Sequence, residues 1–145
     1  MITRSDIVAE ARTWIGTRWQ HQARVKGVAT DCIGLVGGVA LALDLPGAKE
    51  WAADRELHNY GKTPMPEVLI GGCERFMQRI PLVAADVGDV LVMAFRHDPQ
   101  HFAIISERSP MYIVHAYAQA RRVVENGAAV ARAKVLRAYR LRGVA

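Results

Sequence analysis

From residue 32 to residue 43 the chain reads Cys-Ile-Gly-Leu-Val-Gly-Gly-Val-Ala-Leu-Ala-Leu, a run with no charged side chain. It is longer than an ordinary buried strand and suits a helix, although its three glycines work against one. A helix that is apolar on every side has no face to give to water. It must lie in the middle of the fold, and the rest of the chain has to wrap around it. The 145 residues fit one domain, 1–145, large enough to do so without staples.

The flanking segments supply the wrapping. Ser5-Asp6 ahead of Ile7, Val8, Ala11, Trp14 and Ile15 reads as a capped amphipathic helix ending at Gly16. Residues 16–31 show no period and read as a loop. Pro46-Gly47 closes the apolar helix, and 47–62 reads as a loop with a short helical turn. Thr63-Pro64 then looks like a helix start, with Leu69, Cys73, Phe76, Met77 and Ile80 following at helical spacing.

Beyond Pro81 the pattern changes to short β-prone runs: 89–95, 101–106, 111–117, 121–125 and 134–142. His97-Asp98-Pro99, Arg108-Ser109-Pro110 and Asn126-Gly127 read as the turns between them. With no crossover helices, the sheet is expected to be an antiparallel meander. Helices first and strands second make an α+β domain.

The net charge of +5 is spread rather than blocked and lacks the aromatic interleaving of single-strand binders, so no nucleic-acid partner is expected. No apolar run approaches the roughly 20 residues that span a bilayer, so no membrane insertion is expected either. The N-terminus has no signal-like apolar stretch, which leads to the expectation of synthesis in the cytoplasm without an export signal. Two cysteines do not make a disulfide framework. Cys32 and Cys73 read as separate thiols, although a pair between them is the alternative.

Cys32 follows Asp31 and heads the apolar helix. Unpaired amides and the positive end of the helix dipole favour a thiolate there, so the position is expected to lower its pKa. A nucleophilic cysteine needs a base, and the base an orienter. Of the five histidines, His101 opens one strand and His115 lies in the next. If the chain reverses over 106–110, Ile105 opposes Met111 and His101 stands directly opposite His115. A slip of one residue would put the two on opposite faces. His97 reads as a turn residue, and nothing singles out His58. With neither an HxxxH nor a CxxC pair, no metal is expected, and acyl transfer through a cysteine would need no cofactor.

Asp31-Cys32-Ile33-Gly34-Leu35 resembles the Asp-Cys-Ser-Gly-Leu motif of NlpC-type cell-wall peptidases. Gly88-Asp89-Val90 is similar to their Gly-Asp-Leu turn. His101-Phe102-Ala103-Ile104-Ile105 is similar to their His-Val-Gly-Ile-Tyr strand, and Val114-His115-Ala116 to their Ile-His-Ala. Gly16-Thr17-Arg18-Trp19 matches their Gly-Thr-Pro-Tyr, with Trp19 in place of the tyrosine and so without its hydroxyl. The resemblance runs in order from about residue 5 to 125. It implies a papain-like NlpC-type fold in which the nucleophile's helix packs on an antiparallel sheet. It also implies a catalytic Cys32, His101 and His115, with Trp19 and Asp31 in the substrate and oxyanion region.

The function so implied is that of a cysteine hydrolase, a peptidoglycan endopeptidase acting on stem peptides. Arg24, Lys26 and Arg96 are candidates to meet substrate carboxylates, against the plainer reading of solvated charge. The stretch 46–86 is long for the family and is expected to shape the groove. Trp14-Ile15-Gly16-Thr17, His21-Gln22, Val25-Lys26-Gly27 and Thr30-Asp31-Cys32 look most like the branch encoded among tail genes of phages and gene transfer agents. That branch implies tail or baseplate partners and action in the cell wall or periplasm from a particle. An amidase on the same fold and a non-enzymatic tail adaptor are the alternatives.

Overall fold

The apolar run forms α2 (Cys32–Ala42), and eight of its eleven residues are buried, as a helix without a polar face requires. The chain is described by a computed structural model over residues 1–57, 66–95, 101–131 and 133–145. Two of the glycines have a packing reason. A Cβ on Gly37 would stand 2.5 Å from Cδ1 of Trp51, and one on Gly38 would run into the ring of Trp14. The helix gives up side chains where two large rings press against it.

Helix α1 (Arg4–Arg12) buries Ile7, Val8 and Ala11. Its cap is Thr3, not the Ser5-Asp6 pair that the sequence suggests. The Thr3 hydroxyl accepts from the Asp6 amide, and the Asp6 carboxylate accepts from the Thr3 amide at 2.7 Å. The three-residue spacing of that capping box selects Thr3. The helix stops at Arg12 with Thr13 as its C-cap, short of the expected end at Gly16, which lies in the following turn at φ 91°. The Gly16 amide donates to the Val123 carbonyl at 2.9 Å.

The stretch 16–31, read as loop, holds β1 (Arg18–Trp19), β2 (Arg24–Val25) and β3 (Ala29–Thr30). Strands of two residues are too short to show alternation, so only their partners define them. Next come α3 (Ala48–Ala53), which is the expected helical turn, and α4 (Pro66–Phe76). Thr63-Pro64 lies outside the described residues. The helix does not continue through Met77 and Ile80. Those residues belong to β4 (Met77–Ile80), with Met77 paired to Leu141 and Ile80 to Ala138. Both are buried, while Gln78 and Arg79 are exposed. A spacing of three fits a helix turn in the sequence, but pairing with a distant strand overrides it.

The remaining strands fall where the β-prone runs lie: β5 (Val90–Ala94), β6 (His101–Glu107), β7 (Tyr112–Tyr117), β8 (Arg122–Gly127) and β9 (Lys134–Leu141). Asn126-Gly127 is not a turn; it ends β8, paired with Ile113 and Tyr112. The sheet order is β2-β3-β1-β8-β7-β6-β5-β9-β4. Strands β5 to β8 form the expected antiparallel meander, with two departures. β1 and β3 are parallel, so the sheet is mixed. β9 returns to pair with β5 instead of β8. The outer edge of β8 is already taken, since Val123 donates to Thr17 at 2.8 Å and Trp19 donates to Arg121 at 2.9 Å.

Alternation along the strands splits the core in two. Val90, Val92, Phe102, Ile104, Val114 and Ala116 face the helices. Leu91, Met93, Ala103, Ile105, Ile113 and Ala138 form a second cluster behind them. Asp89, 1% exposed, ties three parts of the fold together. It accepts from Arg4 at 3.0 Å, from Arg140 at 2.9 and 2.8 Å, and from the Asp86 amide at 2.9 Å. This α+β architecture agrees with the fold class expected from sequence.

Candidate active site

Asp31 caps α2. One carboxylate oxygen accepts from the Gly34 amide and the other from the Gln22 amide, each at 2.8 Å. Its own amide donates to Ala23 at 3.0 Å. The preceding loop is therefore folded onto the first turn of the helix. Gly34 makes room for it, because a Cβ there would stand 2.5 Å from the Ala23 carbonyl oxygen. Burial pushes the Asp31 carboxyl up from its usual range, while the two amides, Arg24 and His21 pull it down.

Cys32 is the first residue of α2 and is 6% exposed. The expected drop in its pKa does not occur. Burial pushes the thiol up to about 12, and the neighbouring Asp31 carboxylate adds to the rise. The amides of Phe102, Ile33 and Cys32 itself face the sulfur and oppose that rise. The helix terminus acts as foreseen, but desolvation is the larger effect. The Phe102 amide also locates the sulfur against the start of β6, one residue along from His101.

His101 and His115 are in direct contact. His101 Nε2 lies 2.7 Å from His115 Nδ1, and the ring centroids are 4.9 Å apart at 71°. The expected register is off by two residues. Ile105 opposes Ile113, not Met111, and a bulge follows between Ile105 and Glu107. An even shift keeps every side chain on its face. The two imidazoles are thus diagonal neighbours instead of directly opposed. Burial lowers the His101 pKa to about 3, with the His115 charge contributing, and burial also lowers His115. Aromatic rings wall the pair: Phe95 lies 5.3 Å from His101, and Tyr117 stacks on His115 at 4.9 Å.

Asn126 completes the line, with Oδ1 3.0 Å from His115 Nε2. Sequence reasoning missed it because Asn-Gly is a strong turn signal. The recoverable signal was alternation, since Arg122, Val124 and Asn126 fall on one face of β8. Trp19, half-buried on β1, pairs with Thr30 just before the nucleophile segment.

Lys26 is engaged with Glu10 at 2.8 Å, and Arg24 donates to the Leu57 carbonyl at 3.4 Å. Arg96, His58 and His97 lie outside the described residues. Cys32 and Cys73 are not joined in a disulfide, and the latter is buried in α4. The described part of 46–86 packs α3 against α2 and α4 against α3, and adds β4 to the sheet. Among the described residues no three His, Cys, Asp or Glu side chains cluster as a metal site.

No protein-family model matches the sequence, and no curated protein does. Solved structures do match the fold. NlpC2 from Trichomonas vaginalis superposes with a TM-score of 0.68 at 14% identity over 96% of this chain. NlpC1 from the same organism gives 0.66 at 14% identity over 93%. This chain spans 46% and 42% of the length of those two. The NlpC/p60 domain of the peptidoglycan hydrolase SagA gives 0.65 at 21% identity, over 97% of this chain and 100% of that domain. The fold is that of NlpC/p60 domains.

Proposed function

We propose that this chain hydrolyses amide bonds in peptidoglycan stem peptides by acyl transfer through Cys32. The observation that carries the reading is the buried His101–His115 contact at 2.7 Å, at the strand end where the Cys32 sulfur meets the Phe102 amide. The NlpC/p60 fold and the sequence resemblance around these residues support it.

In this reading the resting pair is neutral thiol and neutral imidazole, as the raised Cys32 and lowered His101 pKa values require. Proton transfer then accompanies attack and does not precede it. His101 Nε2 is engaged with His115, so the nitrogen that takes the thiol proton is Nδ1. The sulfur bonds to the substrate carbonyl, and the imidazolium returns its proton to the departing amine. Water, deprotonated by His101, then cleaves the thioester and restores the thiol. His115 touches no reacting atom and orients His101. The Cys32 amide is a candidate donor to the oxyanion, a contribution of about 10²–10³ in rate in other acyl-transfer enzymes.

Delivery on a phage-like tail or baseplate is part of the same proposal. It rests on the likeness of the Trp14–Thr17 and His21–Cys32 segments, and mass spectrometry of purified particles tests it. The catalytic test is release of soluble muropeptides from purified sacculi. Wild type is expected to release them and Cys32→Ala to release none, and the fragment masses name the bond. An amidase would instead free whole peptides from the sugar. No release by a folded wild type would overturn the enzymatic reading in favour of an adaptor role.

A further inference from the structure

His101, His115 and Asn126 lie on three adjacent strands, β6, β7 and β8. His115 pairs across with Val124, and Ile113 with Asn126. Asn126 is therefore one row removed from His115, as His115 is from the residue opposite His101. The three side chains step diagonally across the sheet at 2.7 and 3.0 Å. Two imidazoles in series can carry their protons in either direction, and only one direction leaves a base at the open end. Whatever terminates the line decides which direction is taken.

We infer that Asn126 is a positioning residue that sets the tautomer of both histidines and so keeps His101 Nδ1 unprotonated. The carbonyl oxygen of Asn126 can only accept. His115 Nε2 must then carry hydrogen and donate to it. A neutral imidazole holds one N–H, so His115 Nδ1 is bare and accepts from His101 Nε2–H. His101 Nδ1 is left as a lone pair. Reversing the end group would reverse both rings and put hydrogen on Nδ1, where it could accept nothing from a thiol. An amide does this without adding charge, and both imidazoles remain neutral in their buried setting.

The inference rests on the function proposed above only for its kinetic consequence; the tautomers can be read without any substrate. The test is ¹⁵N NMR of histidine-labelled protein near pH 7, together with kcat and KM on sacculus-derived peptides. Wild type is expected to show both rings protonated at Nε2. Asn126→Leu should populate the Nδ1–H forms and lower kcat on the order of 10–100-fold with KM little changed, the range for losing an outer hydrogen-bond partner. Asn126→Asp retains the acceptor and should retain the wild-type tautomers. A wild-type spectrum with His115 protonated at Nδ1 would overturn the inference, and that spectrum decides even if the leucine variant does not fold. So would Asn126→Leu with unchanged tautomers and unchanged kcat. The expected tautomers in a protein that cleaves nothing would sink the proposed function and leave the role of Asn126 standing.

Discussion

Replacing Asp89 by alanine should be among the most damaging single changes to stability. The carboxylate is 1% exposed and accepts four hydrogen bonds: one from Arg4, two from Arg140 and one from the Asp86 amide. Breaking a fully buried ion pair by deleting one partner costs about 3–5 kcal/mol, chiefly because the remaining charge is left without compensation. Arg4 and Arg140 each keep 29% of their side-chain surface in water, so part of that cost is recovered by hydration. The expected loss is therefore about 2–4 kcal/mol. At about 2–4 °C per kcal/mol for a domain near this size, the melting temperature should fall by roughly 4–16 °C. Urea unfolding followed by circular dichroism measures it, with an unchanged m-value showing that stability alone has moved. Asp89→Asn keeps an acceptor for the Asp86 amide and should fall between wild type and Asp89→Ala. A loss under about 1 kcal/mol for Asp89→Ala would refute the reasoning and show that Arg4 and Arg140 are held mainly by solvent.

Two further outcomes follow from the site. His101 has a folded pKa lowered to about 3, so the unfolded chain binds its proton first. Stability from this group is complete above the unfolded value of about 6.5 and is lost as pH falls towards 3, at roughly 1.4 kcal/mol per pH unit. His115, also lowered, adds to the slope, and His101→Asn should flatten it between about pH 6.5 and 5 in urea titrations. Gly34→Ala and Gly71→Ala should differ in sign in thermal melts. The new methyl meets backbone at 2.5 Å in the first, but only the flexible end of Arg75 at 3.3 Å in the second. The first should destabilise by about 1–3 kcal/mol through overpacking, and the second should gain up to about 1 kcal/mol of helix propensity.

The sequence was legible wherever local pattern and final packing agree. An all-apolar run of twelve residues suited a buried helix better than a strand despite its glycines, and the strands holding His101 and His115 alternate plainly. It failed where a distant partner decides the outcome. Met77 and Ile80 sit at helical spacing until β9 claims them, and β1 to β3 are strands only because of what lies beside them. The meander could not reveal that β8 was already occupied by β1. Motif spacing brought Cys32 and His101 into view. It could not give the desolvation that raises the thiol, which depends on everything packed above it. Asn126 was hidden by its own turn chemistry, since Asn-Gly predicts a reversal and β8 runs straight through it.

The placement of β9 affects how the chain can assemble. Residues 134–141 enter between β5 and β4, two strands that are not neighbours in the ladder. Until that segment has left the ribosome, β5 and β4 each present a bare row of amides and carbonyls, the surface most prone to join other chains. Helices and the β5–β8 meander can form as they are synthesised, but β4 joins the sheet only through β9. Folding is thus tied to the synthesis of residues 134–141, and a chain halted before they emerge would leave β4 without a sheet partner and one edge of β5 uncovered.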